Sequence, residues 1–296
     1  MINRIGIDLG GTKTEIMLTE EDPQNVLKRK RIATQQERGY EFIINQLFEL
    51  INDYLQYCHQ CPLIGIGIPG SINQKTGLVR NSNTICLNGK PLKSDLESRL
   101  NFSISVENDA NCFALSEALL GAGKGKETVI GLIMGTGMGG GIVRNGKIWN
   151  GLHGIAGEFG HTSIDYNGRD CWCGEKGCLE RYISGTAVEQ QYEISSGKRL
   201  KLDAIYRQYE AGNDETARLV IDDLLNHFSR GIANINTAFD PDIIVIGGGV
   251  SNIPLLYTRG ADQIRKQTFS DECFTPIVKN SLGDSSGIFG AALLPG

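Results

Sequence analysis

A strand, a turn of glycine and threonine, and a second strand occur twice in this chain, and that repeat limits the folds open to it. The first copy is Ile5-Gly6-Ile7-Asp8-Leu9-Gly10-Gly11-Thr12-Lys13-Thr14-Glu15-Ile16-Met17-Leu18, and the second runs from Val129 to Val143 around Gly135-Thr136-Gly137. Apolar alternation broken by glycines is the pattern of a β-hairpin. A Walker-type phosphate loop needs a helix directly after its glycines, and none follows. Each copy is succeeded by an apolar strand ending in glycine, Ile64 to Gly70 and Ile243 to Gly249. Helical periodicity marks Tyr40 to Tyr57 and Thr216 to Ala238. This order predicts two similar α/β domains related by duplication and facing each other across a cleft. Their expected extents are 1–120 and 121–286, with an apolar helix, 287–296, returning to the first and the glycine-rich stretch Gly121 to Lys126 as the boundary.

The 296 residues suffice for two domains, and 40 % apolar with 21 % charged residues is the balance of an ordinary globular chain. The net charge of −5 and a longest basic run of Lys28-Arg29-Lys30-Arg31, which reads as a solvated strand edge, speak against nucleic acid as a partner. No apolar run approaches the about 20 residues of a membrane span. Met1 to Arg4 leads into a strand without the features of a signal peptide, so a cytoplasmic location is expected. In such a reducing compartment eight cysteines favour metal binding over disulfides. Cys58-His59-Gln60-Cys61 lacks a second pair and reads as a frayed helix end. Gly65-Ile66-Gly67-Ile68-Pro69-Gly70 has the spacing of a dinucleotide fingerprint, but its glycines lie within a strand and Pro69 opposes the required helix start.

The densest chemistry lies between Gly157 and Glu180. His161, Cys171, Cys173 and Cys178 make a Cys₃His set suited to a closed structural Zn²⁺ site; the plainer alternative is three buried thiols packed as small apolar groups. Glu158 and Glu180 flank this knot, which is able to aim both carboxylates at neighbouring hydroxyls; the plainer alternative is a pair of ordinary surface glutamates. Asp109 stands where the strand Ile104 to Val106 gives way to a helix, as a plain N-cap or as a general base whose ionised form the helix N-terminus favours. Asp8, at its strand end, suits orienting Mg²⁺ through water, or belongs to a plain hairpin turn. The loop Asn81-Ser82-Asn83-Thr84 carries amides suited to hydroxyl groups, or to a simple turn.

Taken together, Asp8-Leu-Gly-Gly-Thr-Lys, Gly67-Ile-Pro-Gly, Asn108-Asp-Ala-Asn, Gly135-Thr-Gly-x-Gly-Gly-Gly, Gly157-Glu-x-Gly-His, Cys171-x-Cys-Gly-x-x-Gly-Cys-x-Glu and Ile246-Gly-Gly-Gly resemble the ROK sugar kinases over the whole chain. The resemblance implies an actin-like ATPase fold of two ribonuclease-H-like domains, and ATP-dependent phosphorylation of a hexose, usually at its 6-hydroxyl. It implies Asp109 as the base and Asn83, Asn108, Asp109, Glu158, His161 and Glu180 as sugar ligands. Asp8, Gly10, Gly11, Thr12, Lys13, Thr136 and Gly137 are then the phosphate and Mg²⁺ residues, Gly248 lies near the adenosine, and His161, Cys171, Cys173 and Cys178 hold zinc. A homodimer is the expected assembly. Asn81 to Thr84, Leu87-Asn-Gly-Lys-Pro, Cys273-x-Thr-Pro and Gly283-Asp-Ser-Ser-Gly are most similar to bacterial fructokinases, implying fructose as substrate with mannose or glucose slower. N-acetylglucosamine kinase and glucokinase are the alternatives within the family, and a non-catalytic sugar-sensing regulator lies outside them. The loop Thr162 to Asp170 is shorter than either kinase group leads one to expect.

Overall fold

The alternation of the N-terminal stretch becomes a hairpin. Strand β1, Arg4–Leu9, turns back into β2, Lys13–Thr19, with Arg4 opposite Thr19 and Leu9 opposite Thr14. In this computed structural model, which describes residues 2–295, the chain forms two compact units. The first holds residues 1–120, 146–156 and 282–296, and the second holds 121–145 and 157–281. Residues 146–156 and 282–286 thus cluster with the first unit, where the sequence reading puts them in the second.

In the first unit β2 also pairs with the edge strand β3, Val26–Ala33, while β4, Leu63–Ile68, and β5, Ile104–Asn108, run parallel to β1, giving the order β3–β2–β1–β4–β5. Because side chains alternate along a strand, β1 presents two different faces. Ile5, Ile7 and Leu9 join Ile16 and Leu18 in a core covered by helix α1, Tyr40–Leu55, through Ile43, Ile44, Leu47, Ile51 and Tyr54, and by α2, Leu92–Leu100. Each such aliphatic side chain contributes about 1.5–3 kcal/mol on burial. Gly6 and Asp8 look the other way. There the C-terminal helix, Ser286–Leu293, packs Ile288 and Ala292 against Met17. A methyl group on Gly6 would lie 2.5 Å from the Ile288 carbonyl oxygen, and one on Gly65, its neighbour across the parallel pair, 1.9 Å from that of Ala291. Glycine at both positions admits the helix backbone onto the sheet. The same helix crosses α3, Asp109–Leu119, where Gly290 meets Cys112.

The second unit repeats the scheme. Strands β6, Thr128–Met134, and β7, Met138–Arg144, form the hairpin, and β8, Ile243–Gly247, and β9, Ile277–Lys279, lie parallel to β6 in the order β7–β6–β8–β9. Helices α4, Gly185–Ser196, α5, Leu202–Ala211, α6, Glu215–Phe239, and α7, Arg259–Gln267, complete it. Asp214 caps α6 by accepting the Ala217 N–H at 2.9 Å, and Leu224, Leu225, Phe228 and Ile232 form its buried stripe. Among the described residues, no helix is long and apolar enough to cross a membrane.

Candidate active site

In the first unit the β1–β2 turn is closed by the Gly10 N–H donating to the Lys13 carbonyl at 2.9 Å. Thr34, the residue after β3, braces it, its hydroxyl donating to the Gly10 carbonyl at 2.7 Å and its N–H to that of Thr12 at 3.0 Å. Thr12 and Lys13 are exposed, and the loop carrying Asn83 lies alongside: a Cβ built on Gly11 would be 3.9 Å from Asn83 Oδ1. That loop is held by Asn88, whose amide accepts from the Ser82 N–H at 2.9 Å and donates to the Ser82 carbonyl at 2.8 Å.

Asp8 sits behind the turn, opposite Glu15 across the hairpin. Desolvation pushes its carboxyl up to about 6; the charge of Glu15 adds to the shift and that of Arg31 opposes it. Glu15 itself is held by Arg29 at 2.6 Å and Arg31 at 2.9 Å, so two residues of the basic run Lys28–Arg31 serve a buried carboxylate. A single carboxylate one residue before the end of the strand that enters the glycine turn suits Mg²⁺, which keeps most of its waters.

The N-cap of α3 is Asn108, not Asp109. Asn108 Oδ1 accepts from the N–H groups of Ala110 at 2.9 Å and Asn111 at 3.2 Å, and its Nδ2 donates to the Gly70 carbonyl at 3.0 Å. One N–H of Asn108 remains for a ligand, and its other groups position the helix end. Asp109 is the first helical residue, half-buried, its Oδ1 accepting the Ala110 N–H at 2.8 Å. Glu107, Asn111 and Asn150 form a network beside it, with Asn111 Nδ2 3.0 Å from Glu107 Oε1 and Asn150 Nδ2 2.8 Å from Glu107 Oε2.

In the second unit the β6–β7 turn is closed by the Gly135 N–H on the Gly137 carbonyl at 2.9 Å, and Gly185, at the start of α4, donates to the Gly135 carbonyl at 2.7 Å. A glycine turn abutting a helix N-terminus favours phosphate. Beside it lies a pocket of about 720 Å³ lined by Thr136, Thr186, Glu189, Lys201, Tyr206 and Asn252, among others. Gly248, at the end of β8, adjoins the Gly249–Asn252 turn of that wall. Sequence reasoning missed Glu189, Lys201 and Tyr206, because helical spacing alone does not show which polar face meets a cavity.

The segment bearing Glu158 and His161 rests on β7. Gly157 has φ +100°, and a Cβ there would lie 2.6 Å from the Gly140 carbonyl oxygen, so the run of glycines after Thr136 exists to seat this segment. Glu158 is exposed. The candidate ligand atoms of His161, Cys171, Cys173 and Cys178 all lie within 4.8 Å of one another, and among the described residues this is the one such group. Cys173 and Cys178 sulfurs are 3.6 Å apart and Cys171 Sγ is 3.7 Å from His161 Nδ1. Tetrahedral Zn²⁺ with Zn–S of about 2.3 Å separates its ligands by about 3.5–3.8 Å, so the four residues fit that ion. Burial pushes the Cys178 thiol up to about 12, with hydrogen bonding to Cys173 and Cys171 adding to it. A bound cation would displace that proton. Nδ1 faces the thiols, which leaves Nε2 of His161 for a ligand. Cys58 and Cys61 lie beyond the end of α1, outside any such group.

Two sheets of one topology, each led by a glycine hairpin, define the class: this is an actin-like ATPase fold of two α/β domains. The ROK family profile matches residues 4–295, and the chain belongs to the ROK family. It is 38 % identical to the N-acetyl-D-glucosamine kinase of Haemophilus influenzae (strain 86-028NP), over 98 % of this chain and 98 % of that protein. It is 36 % identical, over the same shares, to the N-acetyl-D-glucosamine kinase of Vibrio cholerae serotype O1. Among solved structures it matches the ROK hexokinase from Thermus thermophilus with a TM-score of 0.89 and 30 % identity, covering 99 % of this chain and 98 % of that one. A ROK family glucokinase from Streptomyces griseus, in complex with glucose and AMPPNP, matches with a TM-score of 0.81 and 28 % identity over 99 % of both chains.

Proposed function

We propose that this protein transfers the γ-phosphoryl group of ATP to the 6-hydroxyl of N-acetylglucosamine. The observation that carries the choice of sugar is the 38 % identity, end to end, with an N-acetyl-D-glucosamine kinase. N-acetylglucosamine thus takes precedence over fructose, which the short motifs alone favour. The stretches most like fructokinases have structural work here: Asn88 clamps the Ser82 backbone, Leu87 is fully buried, and Cys273 accepts from the Asn236 amide of α6 at 3.5 Å. They say little about which sugar is bound.

In the proposed reaction Asp109 takes the proton of the attacking hydroxyl as its oxygen bonds to the γ-phosphorus and ADP leaves. A modest base is adequate, since positioning and charge stabilisation dominate phosphoryl transfer. Asn83, Asn108, Glu158, His161 Nε2 and Glu180 hold the sugar hydroxyls. Gly10, Gly11, Thr12 and Lys13, with Thr136 and Gly137, receive the phosphates, and the pocket beside Gly248 takes the nucleoside. Asp8 would orient Mg²⁺, which neutralises phosphate charge when bound. His161, Cys171, Cys173 and Cys178 would hold zinc, which orders the backbone between Glu158 and Glu180.

A coupled assay of ATP turnover over N-acetylglucosamine, N-acetylmannosamine, glucose, mannose and fructose tests this. The highest kcat/KM is expected for N-acetylglucosamine. A higher value for fructose overturns the choice of sugar, and turnover with none of the five, alongside sugar binding, supports the regulator instead.

A further inference from the structure

Both oxygens of Glu180 are held by donors from different parts of the second unit. Oε1 accepts the indole N–H of Trp172 at 2.8 Å, and Oε2 accepts the backbone N–H of Met138 at 2.9 Å. The first donor belongs to the cysteine knot, the second to the phosphate turn. Trp172 is 70 % exposed, so its ring is no part of the core; it stands edge-on to His161 with centroids 4.8 Å apart. A carboxylate offers about four acceptor positions, and two donors on opposite oxygens fix its plane while leaving the others open. Fixing the plane in advance lowers the entropy lost when a ligand hydroxyl binds.

We propose that Trp172 is a positioning residue: together with the Met138 N–H it locks the Glu180 carboxylate for the sugar hydroxyls, and this clamp makes sugar affinity sensitive to the shape of the phosphate turn. The inference rests on the sugar-kinase reading above, in which Glu180 binds sugar. A second observation reaches the same carboxylate from the other side. A Cβ on Gly137 would lie 2.7 Å from Glu180 Oε2, closer than real contacts allow, so the carboxylate must move. A methyl group in the phosphate turn is therefore felt at the sugar.

The test separates KM for sugar from KM for ATP in two variants, with N-acetylglucosamine as the probe. Trp172→Phe keeps an aromatic edge for His161 and removes the donor. Loss of a hydrogen bond to a charged group predicts a sugar KM raised about tenfold, with ATP KM, kcat, zinc content and Tm near the wild-type values. Gly137→Ala is likewise expected to raise the sugar KM. The chain has 2 tryptophans, so in Trp149→Phe protein Trp172 reports alone, and its emission is expected to shift on adding the sugar without ATP. A Trp172→Phe protein that retains its zinc and has a sugar KM within about twofold of wild type overturns the proposal. If that variant loses zinc, an unchanged sugar KM in Gly137→Ala overturns it instead. Wild-type protein with neither sugar-dependent turnover nor a sugar-dependent emission change overturns the functional reading, which is a different result from either.

Discussion

Asp8 lies one residue before the end of β1 and Asp109 opens α3 just past the end of β5, yet their surroundings ask different things of them. Asp8 looks toward the C-terminal helix, with Glu15 beside it, and its folded-state pKa of about 6 lies above the ordinary value of 3.8. Between those values the folded state holds a proton that the unfolded chain has released. The stability this contributes is full below about pH 4 and is lost as pH rises through 6. Asp8→Asn is therefore expected to be more stable than wild type at pH 7, by on the order of 3 kcal/mol and with a higher Tm, and not at pH 3.5. The same variant is expected to lose most of its activity, because the amide is a poor partner for Mg²⁺ and its waters. Thermal scans from pH 3.5 to 7.5 check the first part, and a Tm difference constant across that range contradicts it. At Asp109, replacement by Asn keeps the shape and the hydrogen bond to Ala110 but accepts no proton. A fall in kcat of about 10²–10⁴ with a smaller change in sugar KM is expected from steady-state kinetics. More than about a tenth of wild-type kcat means that no essential base stands at 109.

Among the elements, the cysteine knot is held by more than its four candidate ligands. Arg169 pairs with Asp223 of α6 at 2.8 Å and lies over the Tyr182 ring, and Tyr182 stacks on His227 with centroids 4.2 Å apart. The short loop after His161 is thereby moored to the longest helix of the second unit. Cys178 is fully buried, and its replacement by Ser leaves three of the four candidate ligands and a buried hydroxyl in place of the thiol. Cys178→Ser is expected to lose zinc and most sugar affinity while α6 persists. Metal analysis is the check: about one zinc per chain is expected in wild type, and none found there ends the idea. At the start of α3, Asn108→Ala removes a cap worth about 1 kcal/mol and the bond to the Gly70 carbonyl together. It is expected to lower Tm as well as sugar affinity, unlike Trp172→Phe.

At the scale of the whole molecule, the chain's two ends complete one unit. Arg4 donates to the carbonyls of Ala292 at 3.1 Å and Pro295 at 2.8 Å, tying the last helix to the first strand. That helix covers the face of the sheet bearing Asp8. Removal of residues 286–296 exposes Gly6, Gly65 and Met17, and is expected to abolish cooperative melting of the first unit. Gly65→Val, whose Cβ would meet the Ala291 carbonyl oxygen at 1.9 Å, is expected to destabilise by roughly 1–3 kcal/mol or more. A Gly65→Val Tm equal to that of wild type would contradict this close packing.

The hairpins, the strands after them and the helices at 40–55 and 215–239 were legible in residue order alone, because alternation of period 2 and spacing of period 3.6 are local properties. So was the Cys₃His set, whose members lie within eighteen residues of one another. Local pattern did not show that Asn108 rather than Asp109 caps α3, since both residue types cap helices and only backbone geometry decides between them. Nor did it show why β1 and β4 carry glycines, which answer to a helix more than two hundred residues away in the chain. Trp172 carried no signal at all, because its hydrogen bond to Glu180, which also accepts from the Met138 N–H, exists only once the knot and the β6–β7 hairpin are folded together. Sequence determines what each segment can form; which side chain faces which partner is decided when the segments pack.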